Sequence, residues 1–440
     1  MTVTGAVTRY FTTFEDREEA FREGVFSLVA RKHLGPTRFW NDFKRISLEN
    51  LLAFVREPVA CITSDPRDCL AFGTPWQVLS AAVRTACQIG TDLNMTAAQL
   101  AERVGLTENL HQPVRTLSGG ETVKLTLAKA RAATVFSRRM AVSSPFCWLS
   151  AQNRIHFDDL LEDCAHRHVE VNIFALEGED DLRPVSEADV LRLNSTPSVP
   201  FFLDLQGLRI PLTPAMGLLG EKTAFATVAD FKADLVSPCL WVGNNGQGKS
   251  LVAKALARTT AHSGKARVRG PSGAESARLL FQDVMTQTLL RSLDALEQFF
   301  GSAQEQKAAK AIGGRILDGC RASAPAVPES GNQGGLARHD TSLLAIKSAL
   351  VAARLGVRPG ALILDEPDWG LTRRTAIDFV LSVIGEAHGM GVPVILISHK
   401  PWWTPLARSR VAVSRSDRSV SAKTAGSFDI RLSVDGRGHP

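Results

Sequence analysis

One stretch limits what this chain can fold into more than any other. Leu240-Trp241-Val242 is a short apolar run that reads as a buried strand. It breaks into Gly243-Asn244-Asn245-Gly246-Gln247-Gly248-Lys249-Ser250 and resumes at Leu251 as a helix-forming run to Ala257. Strand, glycine-rich turn and helix, in that order, are the context that the phosphate-binding pattern G-x-x-x-x-G-K-[ST] requires. The glycines let successive backbone N–H groups point into one concavity, and the helix N-terminus adds a partial positive charge. Lys249 is then placed to reach the β- and γ-phosphates of a nucleotide, and the Ser250 hydroxyl to ligate Mg2+. Gly243 through Leu251 are the candidate nucleotide-binding residues.

The chain has 440 residues, enough for two domains with separate cores. A hydrophobic content of 44% with 22% charged residues suits a soluble globular protein. Seven scattered cysteines contain no C-x-x-C pair, which points to reduced thiols rather than a disulfide framework. No apolar run reaches the roughly 18–20 residues that a membrane span needs, and Glu15, Asp16, Glu18 and Glu19 exclude a secretory signal at the start. The expected location is the cytoplasm, or the inner face of the cell membrane as a peripheral protein. A net charge of +6 permits contact with nucleic acid or anionic lipid without requiring either.

Charge and three prolines over residues 179–200 divide the chain. We read 1–180 as one domain, 181–200 as a linker, 201–403 as a second domain and 404–440 as a C-terminal extension of peripheral strand or coil. Short apolar runs broken by Gly and Pro over 200–242 suit a small β-layer. The spacing predicts helix over most of 284–320, a loop over 322–335 and helix over 342–355. A strand at Ala361–Leu364, a helix over 373–388 and a strand at Val392–Ile397 follow.

Ala361-Leu362-Ile363-Leu364 ends in the adjacent carboxylates Asp365 and Glu366. Asp365 can face the Mg2+ shell while Glu366, one residue on, turns toward an attacking water as general base, a role worth roughly 10²–10⁴ in rate. An acidic turn after a strand is common by itself; its position downstream of a phosphate loop gives it meaning. Gln282, after Leu279-Leu280-Phe281, can orient water and contact Mg2+. His399, after Ile395-Leu396-Ile397-Ser398, can hydrogen-bond a γ-phosphate.

The order of these motifs resembles the nucleotide-binding domain of ATP-binding cassette (ABC) ATPases. Gly243–Ser250 resembles the Walker A loop, Gln282 the Q-loop, Leu362–Glu366 the Walker B strand and His399 the switch histidine. The resemblance implies catalytic roles for Glu366, His399 and Gln282, with Ser250, Asp365 and Gln282 on Mg2+ and ATP as substrate. The family's Leu-Ser-Gly-Gly-Gln/Glu signature is missing from its usual place, where Asp340-Thr341-Ser342-Leu343-Leu344 stands. It occurs instead in the first half, as Leu117-Ser118-Gly119-Gly120-Glu121 before a helix-forming run Thr122–Ala133. Ser118 with the amides of Gly119 and Gly120 can receive an anion at a helix N-terminus; an ordinary serine cap explains the serine but not the paired glycines.

Otherwise the first half resembles an eroded cassette. Met140-Ala141-Val142-Ser143-Ser144-Pro145 resembles a Walker B strand with serines for both carboxylates, and Val171–Leu176 the last strand without its histidine. Ile62-Thr63-Ser64-Asp65 occupies the Q-loop place without glutamine, and Gly35-Pro36-Thr37 is a candidate vestige of a phosphate loop. In the family, two cassettes close head-to-tail, each site taking its signature from the opposite cassette. One complete composite site per chain is therefore expected, from Gly243–Ser250, Gln282, Asp365, Glu366 and His399 with Ser118–Glu121, in a pseudo-heterodimer fused into one polypeptide. The fold expected is α/β, two tandem ABC-type P-loop domains with a mixed sheet core, a β-subdomain and a helical subdomain, the first degenerate. The implied work is transport, as the cytoplasmic energising subunit of separate membrane permease proteins. The alternatives are a soluble ATPase that remodels a macromolecular partner and a slow regulatory module. The second cassette has Trp369-Gly370-Leu371-Thr372 where the family has a D-loop aspartate, and Phe225 is the aromatic available to stack on adenine.

Overall fold

A computed structural model describes residues 8–11, 59–62, 66, 70, 73–88, 95–114, 117, 119–143, 145–149, 151–174, 184–212, 225–243, 246–282, 303–321, 339–369, 371–417 and 427–435. The chain forms two compact units, 1–180 with 330–342 and 181–329 with 343–440.

In the first unit, β1 (Thr8–Phe11) and β2 (Val59–Ile62) precede the helices α1 (Pro75–Gln88), α2 (Ala97–Arg103) and α3 (Gly119–Ala133). Then come β3 (Arg139–Ser143), the short α4 (Pro145–Trp148), α5 (Ala151–His166) and β4 (Glu170–Phe174). The strands form one parallel sheet in the order β1-β4-β3-β2. Parallel strands are covered on both faces, which is why Val171, Ile173, Met140 and Val142 are all buried. The helices make their own apolar cluster, with Val78 and Leu79 of α1, Leu100 of α2 and Leu125 and Ala128 of α3. A capping box starts α2: the Thr96 side chain takes the Gln99 N–H while the Gln99 side chain takes the Thr96 N–H.

The second unit opens with α6 (Glu187–Asn194), followed by β5 (Val199–Pro211), β6 (Phe225–Val228), β7 (Phe231–Ser237), β8 (Cys239–Val242), α7 (Lys249–Leu256), β9 (Ser263–Arg269) and β10 (Ala277–Leu280). Beyond these lie α8 (Ala303–Arg321), α9 (His339–Gly356), β11 (Ala361–Asp365), α10 (Arg373–Gly389), β12 (Val394–Ile397), β13 (Ser409–Asp417) and β14 (Phe428–Val434). One sheet runs β10-β11-β12-β8-β13-β14-β6-β5-β7, with β9 also on β5. From β10 to β13 it is parallel, and β5, β6, β7 and β9 add an antiparallel layer.

Two readings of the sequence need correction. Residues 181–200 are not a bare linker: α6 lies within them, capped by Ser186, with Val185 and Leu193 in the core of the second unit. Their prolines and charges hide two apolar anchors. The stretch 404–440 is not peripheral either, since β13 pairs with β8 and buries Val411 and Val413. The alternation of Val with Arg and Ser over 409–416 is a half-buried strand that the basic composition masks. The loop expected over 322–335 and the helix expected over 284–302 lie outside the described residues.

Candidate nucleotide site

The site of the second unit is assembled at the ends of four neighbouring strands. β8 leads into the phosphate loop, of which Asn244 and Asn245 lie outside the described residues. The remainder has the backbone such a loop needs. Gly248 (φ 92°) caps α7, and a Cβ there would collide with Ile430 Cδ1 on β14. A Cβ on Gly243 (φ 149°) would collide with the Val413 carbonyl oxygen on β13. Left-handed backbone and close approach both demand glycine. The Gln247 Oε1 accepts the Arg415 N–H, which fixes the loop to β13. The first N–H of α7 to bond back within the helix is that of Val252, to the Gly248 carbonyl. Lys249, Ser250 and Leu251 form the first turn of α7, where backbone N–H groups lie ahead of the helix's own carbonyl acceptors. The Leu251 side chain packs on the core, so its contribution is its backbone.

Lys249 is buried and its Nζ donates to the Gly243 carbonyl at 2.6 Å. Burial holds its ammonium below the ordinary lysine range, though Glu366 and Asp365 pull the other way. Ser250 Oγ donates to Asp365 Oδ1 at 3.1 Å. The fold brings these two side chains together from α7 and β11. Burial, then the Glu366 charge, raises the Asp365 carboxyl to about 7. A hydroxyl and a carboxylate this close are hard oxygen donors of the kind Mg2+ prefers, and a divalent charge there favours the ionised acid. The pair therefore fits the metal that the motif implies.

Glu366 follows β11 in a left-handed conformation (φ 47°), which costs a side chain about 1–3 kcal/mol. Its N–H, bonded to the Ile397 carbonyl at 2.8 Å, holds it there. Its Oε1 lies 3.0 Å from His399 Nδ1, and its Oε2 accepts from Ser398 Oγ at 3.1 Å. Burial opposes ionisation of Glu366, but His399, Lys249 and Ser398 outweigh it and hold the carboxyl below its usual range. The other ring nitrogen of His399 is buried without a partner among the described residues. A buried base paired to an imidazole whose far nitrogen is open can take a proton from water while the ring contacts a phosphate. Gln282 emerges two residues beyond β10, whose last residue, Leu280, is level with Leu364 on β11.

Three groups at this site escape a reading of the sequence. Asp368, buried two residues beyond Glu366, has its Oδ1 3.3 Å from Ser398 Oγ and 3.4 Å from Trp403 Nε1. Ser398 itself is the second. The third, Lys347 of α9, is buried and donates to the carbonyls of Pro367 (2.6 Å) and Trp369 (2.7 Å). Adjacency to Glu366 and His399 is the one signal that points to the first two. Thr372, where the family has aspartate, caps α10 by accepting the Thr375 N–H. Phe225 lies on β6 with the Arg209 guanidinium 4.7 Å from its ring centroid, so one face is already covered.

In the first unit, Ser118 lies outside the described residues. Gly119 and Gly120 open α3, Gly119 exposed and Gly120 buried. Asn153 Nδ2 donates to the Gly120 carbonyl at 3.2 Å, and Asn109 Nδ2 to Glu121 Oε1 at 3.0 Å. The Gly35-Pro36-Thr37 vestige also lies outside the described residues. The strand that neighbours β4 as β8 neighbours β12 is β1, which ends at Phe11 and leads into Thr12-Thr13-Phe14 with no G-K-[ST].

A phosphate loop after β8, a carboxylate strand β11 one strand away and the histidine strand β12 between them define the architecture. The fold is the ABC-type P-loop fold. No protein-family model matches the chain, and no curated protein does. Solved structures similar to it include an RNase-L Inhibitor (12% identity, 99% of this chain and 86% of that one, TM-score 0.44). Another is a model of ribosome-bound archaeal Pelota and ABCE1 (12% identity, 90% and 68%, TM-score 0.49). A third is UvrA2 from Deinococcus radiodurans (14% identity, 71% and 53%, TM-score 0.41). No helix among the described residues is long and apolar enough to cross a membrane.

Proposed function

We propose that the chain binds and hydrolyses ATP at the second unit, and that turnover also needs the signature loop Leu117–Glu121 of the first unit. The observation that carries this is the Glu366–His399 pair at 3.0 Å, beside the Ser250–Asp365 pair and Lys249. Lys249 and the α7 amides hold the phosphates. Ser250 and Asp365 would hold Mg2+, which when bound would supply charge neutralisation at the phosphates. Glu366 orients the attacking water and takes its proton, and His399 offers its free nitrogen to the γ-phosphate. Gln282 lies at the same sheet edge and serves water and metal. Leu117–Glu121 carries the serine and glycines that the resemblance assigns to phosphate contact. The first unit lacks both carboxylates and a G-K-[ST] loop, so one Mg-ATP is turned over per chain.

Closure around that ATP energises a separate membrane permease, the role that tandem cassettes without their own spans resemble. Glu366→Gln is the test of the chemistry: ATP is still bound, and hydrolysis falls by roughly 10²–10³-fold. Hydrolysis at the wild-type rate in that variant would refute the reading. The same variant, locked on ATP, is the bait for the partner. Recovery of an integral membrane protein supports the permease assignment, and recovery of a soluble macromolecule replaces it with remodelling.

A further inference from the structure

A serine hydroxyl carries one hydrogen. That of Ser398 lies between two buried carboxyl groups, 3.1 Å from Glu366 Oε2 and 3.3 Å from Asp368 Oδ1, and it also receives the Lys400 N–H at 3.1 Å. With both acids ionised, one carboxylate oxygen faces an oxygen lone pair and has no hydrogen to share. In a buried site that arrangement is costly. A proton on one of the acids removes the conflict, because that acid donates to Ser398, and Ser398 donates onward. Glu366 has the imidazole of His399 on its other oxygen and the Lys249 charge nearby, both of which favour its ionised form. Asp368 has the indole N–H of Trp403, the ammonium of Lys400 and the like charge of Glu366. Lys347, from α9, is bonded to the carbonyls on either side of Asp368.

We propose that Asp368 is a positioning residue for the reaction at Glu366: as a neutral acid it donates to Ser398, which turns its only hydrogen to Glu366 and fixes that carboxylate against His399. The inference rests on the reading of Glu366 as general base. Burial and the Glu366 charge move the Asp368 carboxyl above its ordinary value, and His399 and Lys400 only partly offset them, in agreement with the geometry. Counting on from the paired strands β3 and β11, the first unit has Phe146 at the place of Asp368, with the Arg154 guanidinium 4.9 Å from its ring centroid. The proton wire is absent from the half that also lacks the base.

The test compares Asp368→Leu, Asp368→Asn and Ser398→Ala in steady-state hydrolysis across pH, with Glu366→Gln run alongside. Asp368→Leu should lower kcat by roughly tenfold or more with KM for ATP within about twofold, since the contact acts on the base and not on binding. Asparagine, which keeps an N–H donor but cannot ionise, should recover most of that loss. It should also lack the alkaline decline in kcat that ionisation of Asp368 imposes on the parent chain. Ser398→Ala should match Asp368→Leu, and joining it to Asp368→Asn should add nothing. An Asp368→Asn variant as slow as Asp368→Leu, or one with the parent's alkaline limb, would overturn the proposal while a dead Glu366→Gln leaves the ATPase reading intact. A fully active Glu366→Gln would remove both.

Discussion

The four-stranded sheet of the first unit and the four strands β10-β11-β12-β8 of the second are the same arrangement made twice. Each is parallel, and each places the strand before a carboxylate or serine turn one position in from the edge. Ile62 pairs with Val142 as Leu280 pairs with Leu364, and Ser143 pairs with Phe174 as Asp365 pairs with Ile397. On that register Ser143 stands where Asp365 does, and Ser144 follows it in the sequence as Glu366 follows Asp365. Pro145 falls on Pro367 and Leu149 on Leu371, and both leucines are buried. The apolar positions of the two halves match, while the polar ones at the strand ends differ. Burial alone therefore sustains the sheet, and the chemistry is a separate layer on its rim. Loss of that layer costs the fold little, because a strand-end serine leaves the pairing and the core intact.

The largest effect that sharpens this contrast belongs to the half whose sequence has no G-K-[ST]. Gly119→Trp should lower hydrolysis by roughly 10²-fold or more, by blocking the donor edge of α3. Nucleotide affinity in the absence of turnover should change much less. A wild-type rate in this variant would leave the first unit without a part in the reaction.

Acid should separate the halves next. α5 ends in the exposed His166, whereas α10 ends near His388, buried against Ser237 at 2.7 Å. Burial and the Arg408 charge push His388 from 6.5 down to about 4. The unfolded chain therefore takes up the proton first as pH falls. The stabilisation is complete above about pH 6.5 and is lost progressively toward pH 4, by about 3 kcal/mol. Denaturant unfolding of His388→Leu should show that much less acid sensitivity than the parent; parallel curves for the two would contradict the assignment.

Gly248→Ala should cost about 2 kcal/mol of stability in the second unit, from the left-handed backbone and the Ile430 contact. ATP affinity should fall with it, which calorimetry can read. The smallest effect is expected from repairing the first unit's strand end. Ser143→Asp with Ser144→Glu should leave the stoichiometry at one ATP per chain, because no G-K-[ST] follows β1 in the first half of the sequence. A second ATP bound by that double variant would show the erosion to be shallower than the sequence suggests.

Much of the second unit is legible in the order of its residues. A buried parallel strand writes itself as an unbroken apolar run, so Ala361–Leu364 and Ile395–Ile397 stand out with their chemistry attached. The signature helix stands out because paired glycines after a serine have few other uses. β1 does not, since four residues with Thr8 and Arg9 among them carry no such run. β13 and β14 are masked because arginine and serine dominate a strand pair whose other face is apolar. The Ser398–Asp368 contact is out of reach for a different reason: it joins the ends of two strands that are neighbours only after the sheet has formed.

The seating of Gly243 and Gly248 on β13 and β14 also has an order in time. A ribosome delivers the cradle long before it delivers the hairpin that backs it, so the nascent loop leaves the exit tunnel with its rear wall missing. Nucleotide should have no grip on such an intermediate. On the proposed reading, nucleotide is then held only after the final strands have docked.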